Sequence, residues 1–177
     1  AEKKNVHFEF AHHDIQNRYV YVDFLRLNQV VINVVSNAVK YTPSGGSVTV
    51  DITQIPSERE GYGLYQIVIK DPGIGMSAEY QQHLFDEFSR ERTSTVSKQQ
   101  GTGLGLAITK RIVDMMEGAI DVESKVGEGS KFTIRIPMRM QEHPENVEQV
   151  RFAHSEEEPV SFEGFKILVV EDNELNL

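Results

Sequence analysis

The chain has 177 residues and a mass of 20.1 kDa, is 39% hydrophobic and 25% charged, and has a mean hydropathy of −0.37. It is long enough to bury a sizeable core without covalent staples; the absence of cysteine excludes disulfides, thiolate metal sites and a cysteine nucleophile, and fits a reducing compartment. The net charge of −9, from 27 acidic against 18 basic residues, argues against nucleic acid as the main partner but leaves a nucleotide triphosphate open, because loop amides and a bound metal can carry its charge.

No apolar run approaches the ~20 residues of a membrane span, and AEKKNVHFEF does not read as a signal peptide. There is no initiator Met, and ILVVEDNELNL stops after a strand-like run, so the chain is expected to be a fragment of something larger. In chain order, Val6–Phe10 and Tyr19–Val22 read as short strands. Asp23 is placed to cap a helix running to about Tyr41, stopped by Pro43, Gly45 and Gly46. Val48–Ile55 and Leu64–Lys70 suit a hairpin across Ser57–Gly63. Ser77 caps a helix to about Leu84, and another runs from about Leu104 to Met116 with Gly118 after it. Ala119–Ser124 and Lys131–Pro137 form a second hairpin. Strands and helices in blocks favour an α/β sandwich with a mixed sheet over regular βαβ winding. Residues 141–163 carry seven Glu against one Arg and read as a solvated, flexible linker. Residues 164–177 open with an apolar strand pattern ending in Glu171 and Asp172.

Four stretches carry the chemistry. The helix RLNQVVINVVSNAVKY is rich in strand-forming Val and Ile, yet at roughly 100° per residue Arg26, Gln29, Asn33, Ser36, Asn37 and Lys40 fall on one arc. Such a helix is expected to bury most of its circumference. Its polar stripe holds amides that can offer oxygens to a hard cation and a lysine that can meet phosphate, where an ordinary solvated face has Glu and Lys. Asp71-Pro72-Gly73-Ile74-Gly75-Met76 follows an apolar strand, so its carboxylate stands where ligands meet a sheet. A buried Asp needs a donor, and the exocyclic amine of adenine is one, whereas guanine presents a carbonyl. On its own the stretch suits a plain turn equally well. Gln100-Gly101-Thr102-Gly103-Leu104-Gly105-Leu106 leads into a helix, a setting in which backbone N–H groups approach phosphate. Its spacing fits neither a dinucleotide fingerprint nor a P-loop. Ser89–Gln100 holds one apolar residue, Val96, and suits either an inconsequential loop or a mobile nucleotide lid.

The order of these stretches is more specific than any one of them. The sequence resembles the catalytic ATP-binding domain of sensor histidine kinases in the GHKL superfamily. RLNQVVINVVSNAVKYT resembles the N box, DPGIGM the first glycine box, LFDEFSR the F box and GTGLGLAITKRIVDMMEG the second glycine box, together covering about residues 5–140. The tail FKILVVEDNELNL resembles the opening strand of a receiver domain with its acidic pair, so the parent resembles a hybrid histidine kinase.

The resemblance implies a two-layer α+β sandwich of the Bergerat type: a mixed, mostly antiparallel sheet with helices on one face and ATP held with Mg²⁺ between helices and lid. It implies domains at 1–140 (catalytic), 141–163 (linker) and 164–177 (truncated receiver). By the same resemblance Asn33 and Asn37 face metal and phosphates, with Gln100 a further metal contact. Lys40 touches phosphate and Tyr41 flanks the nucleotide. Asp71 recognises adenine in a pocket shaped by Gly73, Gly75 and Met76. Phe85 and Phe88 are lid anchors, expected to be packing residues. Gly101, Thr102, Gly103, Leu104, Gly105 and Leu106 lie on the phosphate side. The reaction implied is transfer of the ATP γ-phosphoryl group to a histidine of a separate dimerisation domain in a homodimeric parent, with onward relay to a receiver Asp. The compartment implied is the cytoplasm, with the parent open to anchoring in the inner membrane. His7, His12, His13, His83, His143 and His154 include no evident acceptor: His13-Asp14-Ile15 is followed by Gln16-Asn17-Arg18, not by Arg-Thr-Pro. Superfamily ATPases of the gyrase, mismatch-repair and chaperone types need a carboxylate where this helix has Gln29 and Asn33, so hydrolysis is disfavoured. A silent nucleotide-binding module is the remaining alternative.

Overall fold

The structure, a computed structural model, describes residues 5–89 and 103–141. Their elements run β1 (His7–His13), β2 (Val20–Tyr21), α1 (Phe24–Tyr41), β3 (Ser47–Ile55), β4 (Tyr62–Asp71), α2 (Ala78–Gln82), α3 (Gly105–Met115), β5 (Ala119–Lys125) and β6 (Gly129–Met140). The sheet has the order β1-β3-β4-β6-β2, with β5 also paired to β6. Only β1 and β3 are parallel; the remaining pairs are antiparallel. This is the mixed, mostly antiparallel sheet with a few helices that the sequence implied.

Alternation along the strands makes the two faces. Val48 and Val50 on β3, Tyr65, Ile67 and Ile69 on β4, and Phe132, Ile134, Ile136 and Met138 on β6 are buried at two-residue spacing. Val30, Val34 and Ala38 of α1 and Ile112 and Val113 of α3 join them in one core. β6 is longer than the Lys131–Pro137 stretch read from sequence. It pairs with the whole of β4, from Asp71↔Ser130 to Tyr62↔Arg139, and its far end pairs with β2 through Val20↔Met140. Conversely β2 keeps only two residues, and α2 ends at Gln82, two residues before Leu84, which is itself buried.

Helix α1 begins where expected, with the Asp23 carboxylate accepting from the Arg26 N–H at 3.0 Å. It ends at Thr42, whose N–H and hydroxyl both donate to the Ala38 carbonyl, at 3.0 and 2.7 Å. The expectation that α1 buries most of its circumference does not hold. One row, Val30, Val34 and Ala38, is fully buried, while Phe24, Leu25 and Ile32 are 67%, 78% and 52% exposed. The reason is layering: α1 meets the sheet on one side and α3 on another, and no third layer among the described residues covers its back. None of the described helices is long and apolar enough to cross a membrane.

Candidate nucleotide site

Asp71 is the last residue of β4, directly opposite Ser130 of β6. It is only 8% exposed. Its Oδ1 accepts from the Gly73 N–H at 2.9 Å, so the loop after the strand turns back onto the carboxylate. Burial raises the pKa of this carboxyl above its ordinary value, and the backbone N–H groups of Gly73 and Ser130 pull it part of the way back. An ionised Asp71 therefore sits desolvated against two neutral backbone donors. A carboxylate has about four acceptor sites, so this group can still take a further hydrogen-bond donor.

The loop after Asp71 has no slack. A Cβ on Gly75 would lie 1.9 Å from the Lys125 carbonyl oxygen, and its φ is +66°. A Cβ on Gly129 would lie 2.0 Å from the Asp71 carbonyl oxygen, at φ +97°. The β5–β6 turn is thus seated directly on the glycine loop, and the Gly127 N–H donates to the Ile74 carbonyl at 2.8 Å. The Met76 N–H donates to the Ser124 hydroxyl at 2.9 Å, while Gln81 Nε2 donates to the Met76 and Ser124 carbonyls at 3.1 and 3.0 Å. Gly73 lies against the last turn of α1, where its missing Cβ would stand 2.9 Å from the Tyr41 carbonyl oxygen. In this way Asp71, Gly73, Gly75, Met76 and Tyr41 are brought together.

One residue of the polar stripe of α1 joins α3. Asn33 Nδ2 donates to the Gly105 carbonyl and to Thr109 Oγ1, both at 3.3 Å, and Thr109 in turn donates to Gly105 at 2.9 Å. The amide nitrogen of Asn33 is thereby committed to the neighbouring helix, and its oxygen is the atom that could meet a cation. Asn37, one turn on, is half-buried, and Lys40 Nζ stands 5.1 Å from the centre of the Tyr41 ring. No side chain caps α3 at Leu104, so the helix dipole and first-turn N–H groups suit an anion. No Cβ contact opposes approach at Gly105, and Leu106 packs partly against the core.

Phe85 packs against the core as expected, but Phe88 does not: it is 69% exposed with φ +62°. The positive φ throws its ring outward at the end of the turn after α2, and its backbone abuts Gly103, whose Cβ would lie 2.9 Å from the Phe88 carbonyl carbon. The expected roles of Gln100, Gly101, Thr102, most of Ser89–Gln100, and residues 142–177 fall outside the described residues. Among the described residues no cluster of three His, Asp or Glu side chains is built to hold a metal. Ser124, Ser130 and Gln81 were not legible as site residues, because serine and glutamine in a strand or short helix carry no motif.

The sequence and fold match known proteins. Residues 22–140 match the family described as histidine kinase-, DNA gyrase B-, and HSP90-like ATPase. The chain is 34% identical over 176 residues to the autoinducer 2 sensor kinase/phosphatase LuxQ of Vibrio vulnificus, covering 99% of this chain and 20% of that protein. It is 39% identical over 123 residues to the sensor histidine kinase RcsC of Escherichia coli, covering 70% of this chain and 12% of that protein. The chain thus spans about a fifth or less of these relatives. Among solved structures, a mycobacterial sensor histidine kinase, MprB, superposes with a TM-score of 0.61 at 30% identity, covering 77% of this chain and 84% of that one. Full-length ShkA in complex with AMPPNP superposes with a TM-score of 0.63 at 28% identity, covering 78% and 27%. This chain belongs to the histidine kinase-, DNA gyrase B-, and HSP90-like ATPase family, as the ATP-binding catalytic domain of a sensor histidine kinase.

Proposed function

We propose that this chain binds ATP with Mg²⁺ and passes the γ-phosphoryl group to a histidine on a separate dimerisation domain of its parent. The observation that carries the reading is Asp71: a nearly buried carboxylate at a strand end, held by two backbone N–H groups and able to accept a third donor. The exocyclic amine of adenine supplies that donor. Asn33 and Asn37, with Gln100, offer oxygens to Mg²⁺, Lys40 meets phosphate, Tyr41 flanks the nucleotide, Met76 helps shape the adenine pocket and Phe88 anchors the lid. Gly101, Thr102, Gly103, Leu104, Gly105 and Leu106 serve the phosphates through backbone N–H groups at the start of α3. Bound Mg²⁺ would neutralise charge on the phosphate oxygens.

In the transfer a neutral imidazole nitrogen attacks the γ-phosphorus. The bond to the β–γ bridging oxygen breaks, ADP leaves, and the ring loses its other N–H proton. The attacking nitrogen is already nucleophilic, so this chain needs no base of its own; positioning and charge neutralisation are its contribution. Gln29 and Asn33 offer no carboxylate to activate water, which favours transfer over hydrolysis.

The same proposal divides the chain into a catalytic domain at 1–140, a linker at 141–163 and, at 164–177, the first strand of a receiver whose acidic pair is Glu171 and Asp172. The parent is then a homodimeric hybrid kinase with its catalytic part in the cytoplasm. Labelled ATP tests the reading. The chain alone should take up no acid-labile label, since His13 lies at the end of edge strand β1, 3.1 Å from Asp51, and not on a dimerisation helix. A dimerisation domain of the parent added in trans should be labelled slowly and in proportion to its concentration, because the tether is lost. Label on this chain alone, or none on the added domain despite ATP binding, would contradict the proposal; the second result would mark a silent module.

A further inference from the structure

Ser124 lies near the end of β5, outside every motif, yet its hydroxyl meets three groups at once. Met76 N–H is at 2.9 Å, the Gly129 carbonyl at 2.8 Å and the Ser130 hydroxyl at 3.0 Å. A hydroxyl has one proton and two acceptor lone pairs. An N–H can only donate and a carbonyl only accept, so Ser124 gives its proton to Gly129 and accepts from Met76. Its second lone pair then accepts the Ser130 O–H. Every donor and acceptor position of this side chain is filled.

These three partners belong to the two segments that meet at Asp71. Met76 closes the glycine loop that begins at Asp71. Gly129 and Ser130 open β6, and the Ser130 N–H is one of the two backbone donors on the Asp71 carboxylate. The near-contact of Gly129 with the Asp71 carbonyl removes any slack between them. We infer that Ser124 is a positioning residue for recognition of the nucleotide base, holding the loop and the Asp71 carboxylate in one mutual arrangement through Met76 and Ser130. It touches no ligand itself, and the inference rests on the ATP site proposed above.

The test compares the wild-type chain with Ser124→Ala and Ser124→Thr by titration calorimetry with ATP and with GTP, by amide exchange at Met76, and by thermal unfolding without nucleotide. Ser124→Ala should weaken ATP binding about tenfold, or about 1.4 kcal/mol. It should also narrow the ATP:GTP affinity ratio and speed exchange of the Met76 N–H. Ser124→Thr, which keeps the hydroxyl, should restore all three. Loss of ATP affinity with an unchanged base ratio, or an unchanged Met76 exchange rate, would overturn the inference, the first because it marks a merely structural role. If Ser124→Ala does not fold, exchange in the wild-type chain decides: Met76 must be slowed, and free-peptide exchange there overturns the tether. A wild-type chain that binds no ATP refutes the nucleotide site instead, and the Met76 exchange rate still judges the tether separately.

Discussion

Asp71 is buried before any ligand arrives, and that burial sets two opposed expectations. Its pKa in the folded chain lies above the unfolded value, so the folded state holds the proton more tightly. The stability this group contributes is complete below the ordinary carboxylate range and is lost as pH rises through its own pKa. At neutral pH the ionised carboxylate is a liability to the ligand-free fold. Asp71→Asn should therefore leave the ligand-free chain at least as stable near pH 7, as measured by denaturant unfolding, while weakening ATP by ~1.5–3 kcal/mol, the range for hydrogen bonds to charged groups. ATP affinity of the wild-type chain should also fall as pH drops toward the carboxylate range, because a protonated Asp71 has less to offer an amine. A flat affinity profile across that range would count against the carboxylate as the adenine contact. The position of Asp71 was legible because a local pattern, an apolar strand running into D-P-G, announces a carboxylate at a strand end. Ser124 and Ser130 were not, because their hydrogen bonds to that loop arise only when the β5–β6 turn, 48 residues beyond Met76 at Ser124, folds onto it.

At the scale of elements, α1 shows how periodicity overrides propensity. Val and Ile favour strands, yet Asp23 and Pro43 bracket the helix, and the polar residues recur on one arc. What could not be read was which neighbour each side would meet: Asn33 of the amide stripe joins α3, and part of the apolar back is open. That contact makes a sharp prediction. Asn33→Asp would set an acceptor-only group against the Gly105 carbonyl and Thr109 hydroxyl oxygens, where Asn33 now donates. It should destabilise the chain by about 1–3 kcal/mol, the cost of leaving such groups unpaired. Unchanged thermal unfolding would show that the two helices are not joined there. The β5–β6 hairpin gives a companion case. Gly129→Ala would press a methyl into the Asp71 backbone at positive φ, and should cost more than ~1 kcal/mol. Such a shift should also disturb ATP binding, which a destabilised turn remote from the site would not.

At the scale of residues 5–141, the sandwich brings Asp71, the glycine loop and the end of α1 together, and joins the start of α3 to the middle of α1 through Asn33. Strand alternation, two hairpins and the helix caps made that architecture legible. The strand partners were less so, since the long reach of β6 depends on β2 and β4 lying to either side of it. An acidic chain with a net charge of −9 gains nothing from bulk electrostatics when it binds a polyanion, so its affinity must come from the site itself. Titration calorimetry of the chain with ATP and with GTP, each in the presence of Mg²⁺, tests that most directly. One ATP should bind per chain, with GTP weaker by about tenfold or more, the consequence of a buried carboxylate meeting a carbonyl instead of an amine. Equal affinity for the two nucleotides, or no heat with ATP, would contradict the account.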